Sequence, residues 1–336
     1  MGSRSIGLLG VGVAILSLGC SSARISQAAG LSAAPAPATA TPSVAPSDAP
    51  TKSVCRPPSS LAPETETFRK FLVDGIERRY RLGLPEAYDS AVPTPLALAL
   101  HGAGDSGSIF ATISGVEAAG WARGYIMVHP DAVDGVWDLA GSGDLDFVME
   151  LLETLDSEFC LDAARQYVVG NSQGGDFATY LACYQPDRFA ALAMVSVVNA
   201  RERCTDWRPI PAMAIVGRAD PIYRLDTGLV SDVPFSGDEV ERPGPLVREA
   251  AALAAANGCE PEPKELIDLE TVTTSTYNCP PGAALVLILH DGGHGWPSAR
   301  FEPPSELGPD TRTVDANAVV FDFFGAYGGS SAAARR

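Results

Sequence analysis

Basic residues are scarce in this 336-residue chain: 24 Lys and Arg stand against 41 Asp and Glu, a formal net charge of −17. It has no basic run and no alternation of aromatic with basic residues. Nucleic acid is therefore excluded as a partner, because phosphates would be repelled rather than neutralised. Cysteines at CxxC spacing are absent, which argues against a zinc site, and no other metal or cofactor motif emerges. Histidine is rare, at four residues (His101, His129, His290 and His294), so general-base chemistry has few places to reside. No internal repeat or linker interrupts residues 55–328, and nothing in the chain indicates an oligomeric state. The mostly apolar run Ile6–Leu18 is too short to span a bilayer comfortably.

That run follows Arg4 and ends in Gly19-Cys20, the layout of an export signal, so residues 1–20 read as a signal peptide. Gly19-Cys20 fits a lipoprotein signal, with Cys20 acylated and the membrane as the anchor. Ordinary cleavage near Ser21-Ser22-Ala23 is the alternative, since Ser17 stands where lipoprotein signals usually carry an aliphatic residue. Either route makes the protein secreted or cell-envelope bound. Residues 21–54 are rich in Ala, Pro, Ser and Thr and cannot bury a core, so they read as a disordered linker. Residues 329–336 read as a disordered tail, and 55–328 is the size of one domain. Six cysteines remain besides Cys20, an even set that suits disulfides in an exported chain. The preferred pairing is Cys55–Cys160, Cys183–Cys204 and Cys259–Cys279. The last two join neighbours along the chain, and the first pins the start of the domain.

Thr67–Val73 and Glu77–Leu84 read as two opening antiparallel strands. Leu96–Leu100, Tyr125–Val128, Arg165–Val169, Leu192–Val198, Ala212–Val216 and Ala284–Leu289 read as buried parallel strands. Leu145, Val148, Met149, Leu152 and Leu155 recur at helical spacing. Pro245–Ala255 and Ala318–Phe324 read as further helices. Alternating strands and helices predict an α/β fold with a mostly parallel, doubly wound sheet, whose ligands sit at the carboxyl ends of the strands.

At one such end lies Gly170-Asn171-Ser172-Gln173-Gly174-Gly175, between the strand ending at Val169 and an expected helix over Asp176–Tyr184. Strand, Gly-x-Ser-x-Gly turn and helix form a nucleophile elbow, which projects the Ser172 hydroxyl at the sheet's edge. Serine needs an adjacent base. His294, in the Gly-rich loop Asp291–Pro297 after the last strand, is preferred over His290 at the strand's end; His101 and His129 read as structural. The imidazole needs an orienting acid, for which Asp220 after Ala212–Val216 is first choice and Asp226 the fallback. The order Ser, Asp, His is that of the α/β-hydrolases. Oxyanion donors are expected from the N–H of Gln173 and from the loop His101–Gly104, with Ala103 first and Gly104 second. Trp137 and Trp296 are candidates for stacking on an aromatic or sugar moiety, with plain packing as the alternative.

The segments Phe159–Tyr167, Gly170–Gly175 and Leu181-Ala182-Cys183 resemble secreted feruloyl esterases of carbohydrate esterase family 1 and the related polyhydroxybutyrate depolymerase-like esterases. So do Leu100-His101-Gly102, Asp144–Val148, Asn257-Gly258-Cys259 and Gly293–Pro297. The resemblance spans roughly residues 65–300. It implies an α/β-hydrolase fold, a Ser172–Asp220–His294 triad, and esters of plant cell-wall polysaccharide or a polyester as substrate. Two features depart from the family: Val216-Gly217 replaces the usual His-Gly, and Tyr223–Pro245 is rich in Asp, Gly and Pro. The expectation is a serine carboxylic-ester hydrolase acting on hydroxycinnamoyl or acetyl esters of xylan, with a hydroxyalkanoate polyester as the alternative. A non-catalytic carbohydrate-binding surface protein on a hydrolase fold is the rival of another class, and a peptidase is disfavoured for want of a gating domain.

Overall fold

The computed structural model describes residues 55, 66–202, 204–230, 242–297, 303–310 and 312–328. The chain divides into two units between Lys52 and Ser53, and all described residues belong to the second. The expected signal peptide 1–20 with Cys20, the linker 21–54 and the tail 329–336 lie outside the described residues.

The chain opens with β1 (Thr67–Val73), β2 (Ile76–Gly83) and β3 (Thr94–Leu100), then two short helices, α1 (Gly107–Ser114) and α2 (Val116–Trp121). Next come β4 (Ile126–Pro130), α3 (Gly143–Glu158), β5 (Leu161–Asn171), α4 (Gln173–Tyr184), β6 (Ala191–Val195) and β7 (Pro211–Gly217). A small ribbon of β8 (Tyr223–Arg224) and β9 (Gly228–Leu229) precedes α5 (Leu246–Ala256). The hairpin β10 (Pro263–Asp268) and β11 (Val272–Tyr277), then β12 (Ala284–His290) and α6 (Ala316–Ala326), complete the order.

Ten strands form one sheet, ordered β1-β2-β4-β3-β5-β6-β7-β12-β11-β10. The run from β4 to β12 is parallel throughout. β1 and β2 add antiparallel strands at one edge, as the sequence leads one to expect. The hairpin β10–β11 does the same at the other edge, which the sequence pattern did not disclose. β10 is largely exposed and β11 is half-buried and rich in Thr and Ser, so neither carries the continuous apolar run that marks a buried strand. Helices α1 and α2 likewise went unread.

Alternation along the central strands divides the core in two. On β3, Leu96, Leu98 and Leu100 pack with Phe147 of α3, Phe177 of α4 and Leu253 of α5. Ala97 and Ala99 point the other way, toward Phe110 of α1, Val116 of α2 and Phe321 and Phe324 of α6. Both faces of the parallel strands are thus covered, which explains why their sequences are continuously apolar. Three disulfides, Cys55–Cys160, Cys183–Cys204 and Cys259–Cys279, bridge Cα atoms 5.2, 5.9 and 3.9 Å apart.

Candidate active site

β5 ends at Asn171, and α4 begins at Gln173, so a single residue, Ser172, makes the turn. Its φ of 53° and ψ of −123° lie outside the regions that L residues favour. The turn is possible because its neighbours are glycines. A Cβ on Gly170 would run into the backbone of Gly174, and one on Gly174 would run into the carbonyls of Leu100 and His101. Helix and strand thereby approach closely, and Ser172 is held by its N–H donating to the Val195 carbonyl at 2.7 Å.

His294 reaches Ser172 from the loop after β12. The N–H of Gly293 donates to the Pro309 carbonyl at 2.8 Å and that of His294 to the Leu307 carbonyl at 2.5 Å, fixing the loop's path. His294 Nε2 lies 2.7 Å from Ser172 Oγ, and Nδ1 lies 2.7 Å from Asp220 Oδ2. The second carboxylate oxygen of Asp220 accepts the N–H groups of Ile222 and Tyr223 at 2.7 and 2.8 Å. With Oδ1 committed to two donors, Oδ2 is left for the imidazole, whose proton must then sit on Nδ1. Nε2 is consequently the acceptor for the Ser172 hydroxyl. All three side chains are buried. Asp226, the fallback acid, is not part of this group: its side chain is 70% exposed and faces Arg224 at 3.5 Å.

The remaining histidines occupy other roles. His101 donates from Nδ1 to the Gly102 carbonyl at 2.7 Å and accepts the Ala132 N–H at Nε2, 3.0 Å away. Burial pushes its pKa down, so the ring remains neutral and ties the 101–104 loop to the 131–137 loop. His290 accepts the Gly292 N–H at 3.0 Å, and burial together with Arg218 lowers its pKa. His129 is wholly enclosed beside the buried Arg81–Glu117 ion pair. Burial, reinforced by Arg81, depresses its pKa to about 3.

Among the oxyanion candidates, Gly104 already donates its N–H to the Gly135 carbonyl at 2.8 Å. The N–H of Ala103 has no acceptor among the described residues. Gln173 stands at the first position of α4, where N–H groups point outward along the helix axis. Its side-chain oxygen accepts the backbone N–H of Trp137 at 3.0 Å, joining the start of α4 to the 131–137 loop.

Trp137 and Trp296, candidates either for stacking on substrate or for packing, are both buried. Trp137 is 0% exposed, stacks on Phe177 at 4.5 Å and donates its indole N–H to the His101 carbonyl at 2.8 Å. Trp296 lies edge-on to Phe110 at 5.2 Å and donates to Asn317 Oδ1 at 3.1 Å. Among the described residues, both rings are enclosed by protein contacts. Among the described residues, one cavity of about 530 Å³ lies between the β1–β2 hairpin and Asp131 and another of about 350 Å³ beside α2 and α6. Neither is lined by Ser172, His294 or Asp220.

Sequence reasoning missed the polar support under the elbow. Asp176, in the first turn of α4, pairs with Arg201 at 2.6 Å and accepts the Asn199 amide at 2.7 Å, all of it buried. The available signal was a carboxylate four residues after Ser172, inside a helix otherwise facing the core. Tyr223 was missed as well: its hydroxyl donates to the Gly244 carbonyl at 3.1 Å, anchoring the chain just past Asp220.

Residues 145–240 match the model of the "Putative esterase" family. The chain is 30% identical over 338 residues to "Putative esterase NocK" of Nocardia uniformis subsp. tsuyamanensis, covering 94% of this chain and 96% of that protein. It is 27% identical over 242 residues to "Feruloyl esterase C" of Emericella nidulans, covering 69% and 81%. Among solved structures, the acetyl xylan esterase from Aspergillus awamori superposes with a TM-score of 0.54 at 12% identity, over 77% of this chain and 99% of that one. At that identity the likeness concerns the fold, which is the α/β-hydrolase fold.

Proposed function

The chain belongs to this esterase family and is a carboxylic ester hydrolase of the α/β-hydrolase superfamily, and from that premise we propose that it is a secreted feruloyl or acetyl esterase of plant cell-wall polysaccharide. The reading is carried by one observation: Ser172, His294 and Asp220 form a continuous hydrogen-bonded array on a strained elbow.

The chemistry follows from the geometry. Ser172 Oγ attacks the ester carbonyl while His294 Nε2 takes its proton, and Asp220 stabilises the imidazolium that forms. The N–H groups of Gln173 and Ala103 receive the developing oxyanion, each worth roughly 3–4 kcal/mol of barrier. His294 then returns the proton to the leaving alcohol, and water, activated by the same imidazole, hydrolyses the acyl-enzyme. The rival of a non-catalytic carbohydrate-binding protein is set aside, because the three groups catalysis requires lie within hydrogen-bond reach. The feruloyl group is drawn from the feruloyl esterase among the relatives.

Residues 55–328 form the catalytic domain in this proposal, carried on linker 21–54 and exported by residues 1–20. The three disulfides support an oxidising location. Acylation of Cys20 would hold the enzyme at the cell envelope; detergent-phase partitioning of wild type against Cys20→Ala separates anchoring from release.

Hydrolysis of p-nitrophenyl acetate and methyl ferulate by wild type and Ser172→Ala tests the reaction. Removal of the nucleophile is expected to lower kcat about a millionfold. Release of ferulate from arabinoxylan oligosaccharides, set against hydroxybutyrate oligomers, tests the substrate. Cleavage of the oligomers alone would move the assignment to a polyesterase.

A further inference from the structure

Strand β6 ends at Val195, and the bonds made there lead to every member of the proposed triad. The Val195 carbonyl accepts the N–H of Ser172 at 2.7 Å. The next residue, Ser196, donates its N–H to the Ile215 carbonyl at 2.8 Å, on β7, the strand that delivers Asp220. Its hydroxyl donates to the carbonyl of Gly295 at 2.9 Å, and Gly295 is the residue directly after His294. Two adjacent residues therefore join the nucleophile's turn, the acid's strand and the base's loop.

Ser196 is 1% exposed, and its φ is 61°. That is left-handed backbone, strained for any residue with a Cβ and natural for glycine. Glycine would relieve the strain, but it has no hydroxyl. What the serine offers at this position is the bond to Gly295.

The His294 loop is held from one side by the Pro309 and Leu307 carbonyls, which accept the N–H groups of Gly293 and His294. The chain leaves the imidazole at Gly295, and there the hydroxyl of Ser196 holds it against the end of β6. We infer that Ser196 is a positioning residue for ester hydrolysis: its hydroxyl sets the reach of the His294 ring toward Ser172. This rests on the triad roles proposed above. The ring must accept a proton from Ser172 across 2.7 Å and later deliver it to the leaving alcohol. Misplacement by about 1 Å costs on the order of a hundredfold in rate. The hydrogen bonds of Ser196 run to Gly295 and Ile215, so its loss acts through the imidazole and is expected to fall on kcat.

The test is Ser196→Gly, which deletes the hydroxyl while relieving the backbone, so that folding is not what is measured. With p-nitrophenyl acetate, kcat is expected to fall roughly tenfold to a hundredfold, with KM and Tm close to wild type. The rate at which an activated phosphonate ester modifies Ser172 should fall by the same factor, since that reaction also needs the imidazole in place. Ser196→Ala, which retains the strained backbone, should show the same kcat loss. A wild-type kcat and phosphonate rate in Ser196→Gly overturns the inference. So does a loss confined to Ser196→Ala, which would trace the effect to the backbone. Ser172→Ala is measured in parallel: if it is inactive while Ser196→Gly behaves as wild type, only the positioning role fails. If Ser172→Ala is fully active, the functional reading fails and takes this inference with it.

Discussion

Replacing Asp220 by asparagine changes one atom's chemistry and leaves its shape. In wild type, Oδ1 accepts from Ile222 and Tyr223, and Oδ2 accepts the proton on His294 Nδ1. Asparagine has one acceptor oxygen, and the two backbone donors claim it. The amide NH2 must then face Nδ1, which can take that bond only when unprotonated. The imidazole proton moves to Nε2, where it opposes the Ser172 hydroxyl instead of accepting from it. If the amide flips, NH2 meets two N–H donors inside a buried site, which is worse. The wrong tautomer is expected to lower kcat about ten-thousandfold, a rise of roughly 5 kcal/mol in the barrier. The assay is p-nitrophenyl acetate hydrolysis by Asp220→Asn beside Asp226→Asn, with near-UV circular dichroism as a check on the fold. Asp226 is at the surface, so its variant should remain within about twofold of wild type. Retention of more than about a tenth of activity in Asp220→Asn, or a large loss in Asp226→Asn, refutes the assignment.

Other expectations concern the core. His129 is enclosed, and its pKa falls from 6.5 to about 3, so the native state resists a proton that the unfolded chain accepts. Its folded pKa lies below the unfolded one, so stability is fully present above pH 6.5 and declines as pH falls toward 3, by about 1.4 kcal/mol per pH unit. His129→Gln, measured by urea unfolding at several pH values, should flatten that slope; Arg81 and Glu117 beside it are unchanged in the variant. An unaltered slope would mean another group is responsible. Trp137→Ala should lower stability by about 3–5 kcal/mol, because a fully buried indole leaves a cavity. A raised KM at unchanged stability would instead return Trp137 to the substrate site.

How much was legible beforehand depends on what each residue needs in order to act. The elbow could be read because its constraint is local: Gly170 and Gly174 lie within four residues of Ser172, and their lack of a Cβ is what lets strand and helix meet. The parallel strands could be read because burial on both faces demands continuous apolar sequence, as in β3 and β7. The β10–β11 hairpin sits at the sheet's edge, where no such demand exists. The tryptophans were open to either reading because their size suits both a stacking platform and a core. Only the neighbours of Trp137, namely Phe177 and the His101 carbonyl, decide between them.

By itself the sequence pointed to the reaction class, through Ser172, Asp220 and His294 in α/β-hydrolase order and at the ends of predicted strands. It also determined the layered α/β architecture, since periodicity and apolar runs are properties of short segments. The tertiary structure alone placed Asp220, and not Asp226 six residues further along the same loop, against His294, because the backbone of Ile222 and Tyr223 turns the Asp220 carboxylate inward. It alone gave the N–H of Gly104 to the Gly135 carbonyl, 31 residues distant along the chain. It alone brought Ser196 to the residue after His294, 99 positions away. Hydrogen bonds between loops depend on register across strands, and no local pattern in the chain encodes that register.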